Sequence, residues 1–151
     1  MFILFFLIGL LIPAGIQEAQ PLLAKNATQP QQQAMVWLRD NTPHDAVVIT
    51  NSYLYTDLHD PQGMGVGGGQ PFAHAEIYSE AALDPAIADR ELHENWQSIN
   101  FLVVDATMLK EFRDDRQYAL LSRALHHAIL RVSFGSGTDG TLIQVYQVMH
   151  N

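Results

Sequence analysis

The stretch NFLVVD, Asn100-Phe101-Leu102-Val103-Val104-Asp105, is the most strand-like part of this chain. Its apolar centre is rich in β-branched residues and polar residues bound it on both sides, which is typical of a strand buried on both faces of a sheet. A second run of this kind, Ala46-Val47-Val48-Ile49-Thr50, occurs earlier in the chain. Because a helical segment separates the two runs, we predict parallel strands in an α/β fold.

Three helices are predicted around these strands. The capping-box pattern TQPQ at residues 28–31 begins the first helix, and the Thr-Pro pair at residues 42–43 ends it, since a residue before proline avoids helical geometry. The sequence LDP at residues 83–85 predicts a second helix start, with that helix running to about residue 95. Two aspartates at residues 114–115 predict the start of a third helix.

The chain closes with two strand-like runs, residues 129–134 and 141–149, joined by the turn-forming sequence GSGTDG. We therefore predict a small Rossmann-like α/β sandwich with a short, mainly parallel sheet and a C-terminal antiparallel hairpin. Three segments are expected. Residues 1–17 form the end of a transmembrane helix or a membrane anchor, residues 18–29 are a connector, and residues 30–151 form the α/β domain.

The N-terminal segment MFILFFLIGLLIPAGI, residues 1–16, is apolar and carries no charged side chain. A secretory signal fits poorly because no positively charged region precedes the apolar run. A complete membrane span needs about 20 apolar residues, and this run is shorter. We favour the outer end of a longer, truncated transmembrane helix, with a signal or short anchor as the alternatives. The predicted location is at the membrane, with the α/β domain on the extracytoplasmic side.

Composition excludes several classes of function. The net charge is −8 and the chain has only 8 Lys and Arg residues, so clustered cations for binding nucleic acid are lacking. The chain contains no cysteine, which excludes a disulfide framework, a thiolate nucleophile and any cysteine-ligated zinc site. We expect no nucleic acid partner.

The glycine-rich sequence GMGVGGG at residues 63–69 contains a literal G-x-G-x-x-G. A dinucleotide-binding fingerprint must join a strand directly to a helix, but residues 51–62 separate this loop from the preceding strand. No Gly-Lys-Ser/Thr sequence follows, so a P-loop is also excluded. We interpret the segment as a surface loop and predict no cofactor.

A more promising segment is YLYTDLHD at residues 53–60, which follows the C-terminal end of a predicted parallel strand, where α/β folds place ligands. Its aromatic rings and carboxylates suit a saccharide. A packed loop is the alternative, and a metal site is a weaker one because no HExxH pattern occurs. We assign no catalytic residue and no metal ligand. The candidate ligand-binding residues are Tyr53, Tyr55, Asp57, His59, His74 and Glu76.

Several stretches, taken in order, resemble the C-terminal extracytoplasmic domain of bacterial membrane glycosyltransferases of the GT-C class. These are multi-spanning, dolichyl-phosphate-mannose–protein mannosyltransferase-like proteins that use polyprenyl-phosphate-linked sugars. The likeness covers residues 20–149. The stretches that carry it are AMVWLRDNTP at 34–43, HDAVVIT at 44–50, YLYTDL at 53–58, LDPAI at 83–87, WQSINFLVV at 96–104, and SFG at 133–135 with IQVYQV at 143–148.

The resemblance implies a soluble accessory domain that contacts the acceptor or braces the membrane part. The family's catalytic aspartate lies in an early extracytoplasmic loop that this chain lacks, so no residue here inherits that role and we expect the chain to be inactive alone. The implied partners are the membrane through residues 1–17, the transmembrane catalytic portion, and a saccharide or protein acceptor. Two alternatives remain: a free-standing, membrane-tethered saccharide-binding module, and a small metal-dependent hydrolase using Asp57, His59, His74 and Glu76.

Overall fold

A computed structural model describes residues 28–59 and 72–150. Residues 1–17, nearly all of the predicted connector, and the glycine-rich segment at residues 63–69 lie outside the described part. The helices are α1 Thr28–Asn41, α2 Ser52–His59, α3 Tyr78–Leu83, α4 Pro85–Ile87, α5 Ala106–Asp114 and α6 Ala119–His126. The strands are β1 Val48–Thr50, β2 Ala75–Ile77, β3 Phe101–Asp105, β4 Ala128–Phe134 and β5 Ile143–Val148.

The five strands form one mixed sheet in the order β2-β1-β3-β5-β4. Strand β1 pairs in parallel with β2 and β3, whereas β5 pairs antiparallel with β3 and β4. The α/β class, the parallel β1–β3 pair and the C-terminal hairpin are therefore confirmed. The sheet is partly rather than mainly parallel, because β5 inserts between β3 and β4 and adds two antiparallel pairings to the two parallel ones.

Strand β3 contributes to both cores of the domain. Phe101 and Val103 belong to the first hydrophobic core, with α1 and α2, whereas Leu102 and Val104 belong to the second, with α5 and α6. This alternation follows from the two-residue period of a strand. Helices therefore cover both faces of the sheet, and the uniformly apolar sequence of β3 is explained by burial on both sides.

Helix α1 agrees with its sequence pattern. Ala34 and Leu38 are fully buried, one turn apart, and Trp37 packs against the same core. The helix ends at Asn41, immediately before the Thr-Pro pair that was predicted to stop it. The helical spacing of Ala34, Trp37 and Leu38 explains why this face of α1 packs on the sheet.

The segment at residues 83–95, predicted as one helix, is broken into short pieces. Asp84 caps α4 as predicted, because its carboxylate accepts from the Ala86 amide at 2.9 Å. A π-helical turn, Ala88–Leu92, follows, and then His93 and Glu94 adopt left-handed conformations with φ of 48° and 53°. Residues in the left-handed backbone conformation end a helix and change the direction of the chain. Here the redirected chain continues towards β3.

Other boundaries also differ from the predictions. Helix α5 was not anticipated, although Asp105 caps it through a 2.9 Å bond from the Met108 amide. The third predicted helix begins at Ala119, after a 3₁₀ turn that Asp115 caps. Across residues 28–59 and 72–150, no helix combines the length and apolar character needed to cross a bilayer.

Candidate functional site

Strands β1 and β3 are neighbours, and at their carboxyl ends the chain leaves the sheet on opposite faces. Helix α2 leaves β1 towards the first core, and α5 leaves β3 towards the second. Open α/β sheets place ligands at such points. Here Asn51 and Asp105 bridge the two strand ends, because the Asn51 Nδ2 donates to the Asp105 Oδ2 at 3.0 Å.

Both members of this bridge also hold helix starts. The Asn51 Oδ1 accepts from the Leu54 amide at 3.0 Å, and the Asp105 Oδ1 accepts from the Met108 amide. Their polar atoms are therefore engaged in joining the strands to the following helices. Neither residue was predicted as a site residue. The available signal was that each residue directly follows a buried apolar run.

The segment at residues 53–60, for which a packed loop was the alternative to a ligand site, is helical as far as His59. Leu54 and Leu58 are buried in the first core, while Tyr53 is 70% exposed. Tyr55 and His59 lie one turn apart, with ring centroids 4.3 Å apart, and the His59 Nδ1 donates to the Tyr55 carbonyl at 2.9 Å. The structure therefore brings Tyr55 and His59 together and leaves Tyr53 at the surface. The side chain of Asp57 lies outside the described part.

His74 and Glu76 belong to a compact group of charged side chains that we call the Arg90 cluster: His74, Glu76, Arg90 and Glu91. Arg90 donates to Glu76 at 2.9 Å and to Glu91 at 2.6 Å. The His74 Nδ1 bonds the second oxygen of Glu91 at 2.8 Å. Both carboxylates are largely buried, with 6% and 8% of their side chains exposed.

The cluster depends on two elements that were not predicted from the sequence. Glu76 lies in β2, a three-residue strand, and Arg90 and Glu91 lie in the π-helical turn Ala88–Leu92. Arg90 and Glu91 were not predicted as site residues. The signal that could have drawn attention to them is the sequence Asp89-Arg90-Glu91, a single cation between two acids.

The pKa values of the two buried carboxyls, Glu76 and Glu91, are shifted in opposite directions. Burial raises the pKa of Glu76, and the hydrogen bond from Arg90 offsets that effect only in part. Burial also acts to raise the pKa of Glu91, but hydrogen bonds from Arg90 and His74 outweigh it, so its pKa is lowered. Glu91 is thus stabilised as an anion, whereas ionised Glu76 is incompletely compensated.

The structure brings the predicted residues together in two separate pairs. Tyr55 contacts His59 on α2, and His74 is linked to Glu76 through Glu91 and Arg90. Among the side chains that the structure describes, no three or more His, Cys, Asp or Glu are arranged to hold a metal ion.

The opposite pKa shifts predict opposite effects of neutralising each carboxyl. A carboxyl whose pKa is raised in the folded state destabilises the protein as pH rises above the ordinary carboxyl pKa of 4.5. Glu76→Gln is therefore expected to unfold at a higher urea concentration than the parent at about pH 7, and this advantage should vanish below about pH 4.

Glu91→Gln is the matched variant. A lowered pKa contributes stability that is present above 4.5 and is lost as pH falls through the folded-state value. Glu91→Gln should therefore be less stable than the parent at neutral pH, and the difference should shrink in acid. Urea unfolding followed by circular dichroism at both pH values measures the signs. If both substitutions move the urea midpoint in the same direction at neutral pH, the opposite pKa shifts assigned to Glu76 and Glu91 are wrong.

The chain matches no protein-family model. No curated protein and no solved structure matches it either.

Proposed function

We propose that this chain is the extracytoplasmic accessory domain of a membrane glycosyltransferase that uses a polyprenyl-phosphate-linked sugar. In this proposal residues 1–17, the end of a transmembrane helix or a short anchor, hold the domain at the membrane. The domain, a Rossmann-like sandwich, contacts the acceptor or braces the membrane part, and the transfer reaction takes place in the multi-spanning partner.

The observation that carries the non-catalytic role is the pairing inside the Arg90 cluster. Arg90 binds both buried carboxylates, and Glu91 also binds His74. A general acid or base must reach a substrate proton with an uncommitted atom. Because both carboxylates are bonded to Arg90, the cluster is better suited to holding β2 against the π-helical turn than to chemistry.

Two further features support the proposal. The apolar segment at residues 1–16 precedes an acidic domain with few cations, which is compatible with a domain outside the cytoplasm. The bridge between Asn51 and Asp105 occupies the edge where an α/β enzyme would place its substrate. Both features favour a supporting domain over a self-contained enzyme.

The test has two parts. Alkaline phosphatase fused after residue 151 should be active if the domain is extracytoplasmic. The full chain, purified from its native membrane, should bring down a multi-spanning protein, and the complex should transfer sugar from a polyprenyl-phosphate donor while the chain alone does not. Transfer or hydrolysis by the chain alone, or an inactive phosphatase fusion, would contradict the proposal.

The two alternatives have different support. A free-standing saccharide-binding module requires a cavity lined by polar and aromatic groups, and one is present at the opposite edge of the sheet. A metal-dependent hydrolase using Asp57, His59, His74 and Glu76 has less support, because His74 and Glu76 are bonded to Glu91 and Arg90. A hydrolase activity that is lost when metal ions are chelated would support this alternative.

A further inference from the structure

We propose that a cavity at the amino-terminal edge of β1 and β3 binds a saccharide unit, which, if the proposed function holds, is part of the acceptor. The cavity has a volume of about 550 Å³. We call it the edge cavity. The lining residues that matter for recognition are Trp37, Asp45, Asn100, Arg131 and Gln147.

The edge cavity lies at the end of the sheet opposite the Asn51–Asp105 bridge. It is formed where the end of α1 meets the segments leading into β1 and β3 and the end of β5. None of the six residues predicted from the sequence lines it. It is therefore a separate site from the Arg90 cluster.

Hydrogen bonds orient the polar lining. The Asn100 Oδ1 accepts from the Val47 amide at 2.7 Å, so the Asn100 side chain is fixed while its Nδ2 donors are not used in that bond. The Arg131 Nε donates to the Gln147 Oε1 at 2.8 Å. That bond leaves the Gln147 amide nitrogen and the terminal guanidinium nitrogens of Arg131 as donors for a ligand.

Trp37 supplies the aromatic wall. Its ring meets Phe101 edge-on, with centroids 6.4 Å apart, so packing against the first core holds the indole in place. Tryptophan combines a large apolar ring with one polar N–H group, and its partial exposure at a cavity suits an amphipathic ligand. The Trp37 ring can therefore cover the C–H face of a sugar while its neighbours bind hydroxyl groups.

The combination of groups favours a hydroxyl-rich ligand. Asn100, Gln147 and Arg131 offer donors, and the Asp45 carboxylate offers acceptors, which matches hydroxyl groups that both donate and accept. One cation and one carboxylate leave no strong net charge in the lining, in contrast to a phosphate site. The volume lies within the usual range for small-ligand cavities, about 300–1,000 Å³.

The two tryptophans provide a direct test. Trp37 lines the edge cavity, whereas Trp96 stacks on His127 at 4.3 Å, against the second core. In the Trp96→Phe variant, all tryptophan fluorescence comes from Trp37. The full chain, in a detergent without a sugar headgroup, is titrated with hexoses, N-acetylhexosamines, hexuronic acids and their short oligomers.

A saturable change in Trp37 fluorescence is expected with at least one of these saccharides. The Trp37→Phe variant, which keeps Trp96 as its reporter, should show no change. Asp45→Ala should weaken binding about tenfold through loss of a hydrogen-bonding partner, whereas Asp114→Ala, an exposed change in α5, should leave it unchanged. Circular dichroism establishes that each variant is folded.

Several outcomes would overturn this proposal: no saturable change with any saccharide, the same change in the Trp37→Phe variant, or equal binding by Asp45→Ala and Asp114→Ala. The test is separable from that of the proposed function. If the complex transfers sugar but Trp37 does not respond, only the edge-cavity proposal fails. If Trp37 responds but no transferase partner is found, only the accessory role fails.

Discussion

Replacing Phe72 by alanine is expected to lower the free energy of unfolding by about 4 kcal/mol, in the range typical of deleting a buried aromatic side chain. Phe72 is among the largest fully buried side chains of the described residues and packs in the first core. Its ring lies 5.1 Å from that of His44, and its amide donates to the Leu58 carbonyl at 2.9 Å. The ring therefore fixes the chain immediately before β2.

The conservative variant Phe72→Leu provides the control. Leucine keeps most of the apolar volume, so a loss below about 1.5 kcal/mol is expected. Both variants are measured by urea unfolding of the full chain, with the midpoint and slope analysed together. A loss below about 1 kcal/mol for Phe72→Ala would mean that Phe72 does not anchor this part of the first core.

The second large effect is expected at the β4–β5 hairpin. Gly135 has a φ of 77°, and a Cβ placed there would lie 2.5 Å from the backbone oxygen of Thr141. The left-handed conformation costs a non-glycine residue about 1–2 kcal/mol, and relieving the contact requires the hairpin backbone to shift. Gly135→Ala is therefore expected to cost about 3 kcal/mol in total.

Gly140 in the same hairpin is the matched control. Its φ is 73°, close to that of Gly135, but a Cβ at Gly140 would meet no atom within 4 Å. Gly140→Ala should therefore cost only the conformational penalty, about 1 kcal/mol. The difference between the two variants in urea unfolding isolates the contact with Thr141. Equal losses of stability at both positions would show that a Cβ at Gly135 does not collide with Thr141 in solution.

The Arg90 cluster and the Asn51–Asp105 bridge could not be predicted from the sequence, for a geometric reason. Glu76 and Arg90 are 14 residues apart, and Asn51 and Asp105 are 54 residues apart. Sequence patterns report neighbours along a strand or helix, whereas these contacts depend on which strands are adjacent in the sheet. Strand β2 has only three residues, too few for a two-residue period to be recognised. Because β2 was not predicted, the Arg90 cluster was not predicted either.

By itself, the sequence was sufficient to determine the α/β class, strands β1 and β3, helix α1 and the closing hairpin. Each of these elements has a local cause, such as an apolar run, helical spacing or a turn sequence. The tertiary structure alone decided the mixed strand order, the interruption of the helical segment at residues 83–95, and the edge cavity. These features arise from how distant segments pack, and no local pattern encodes that packing.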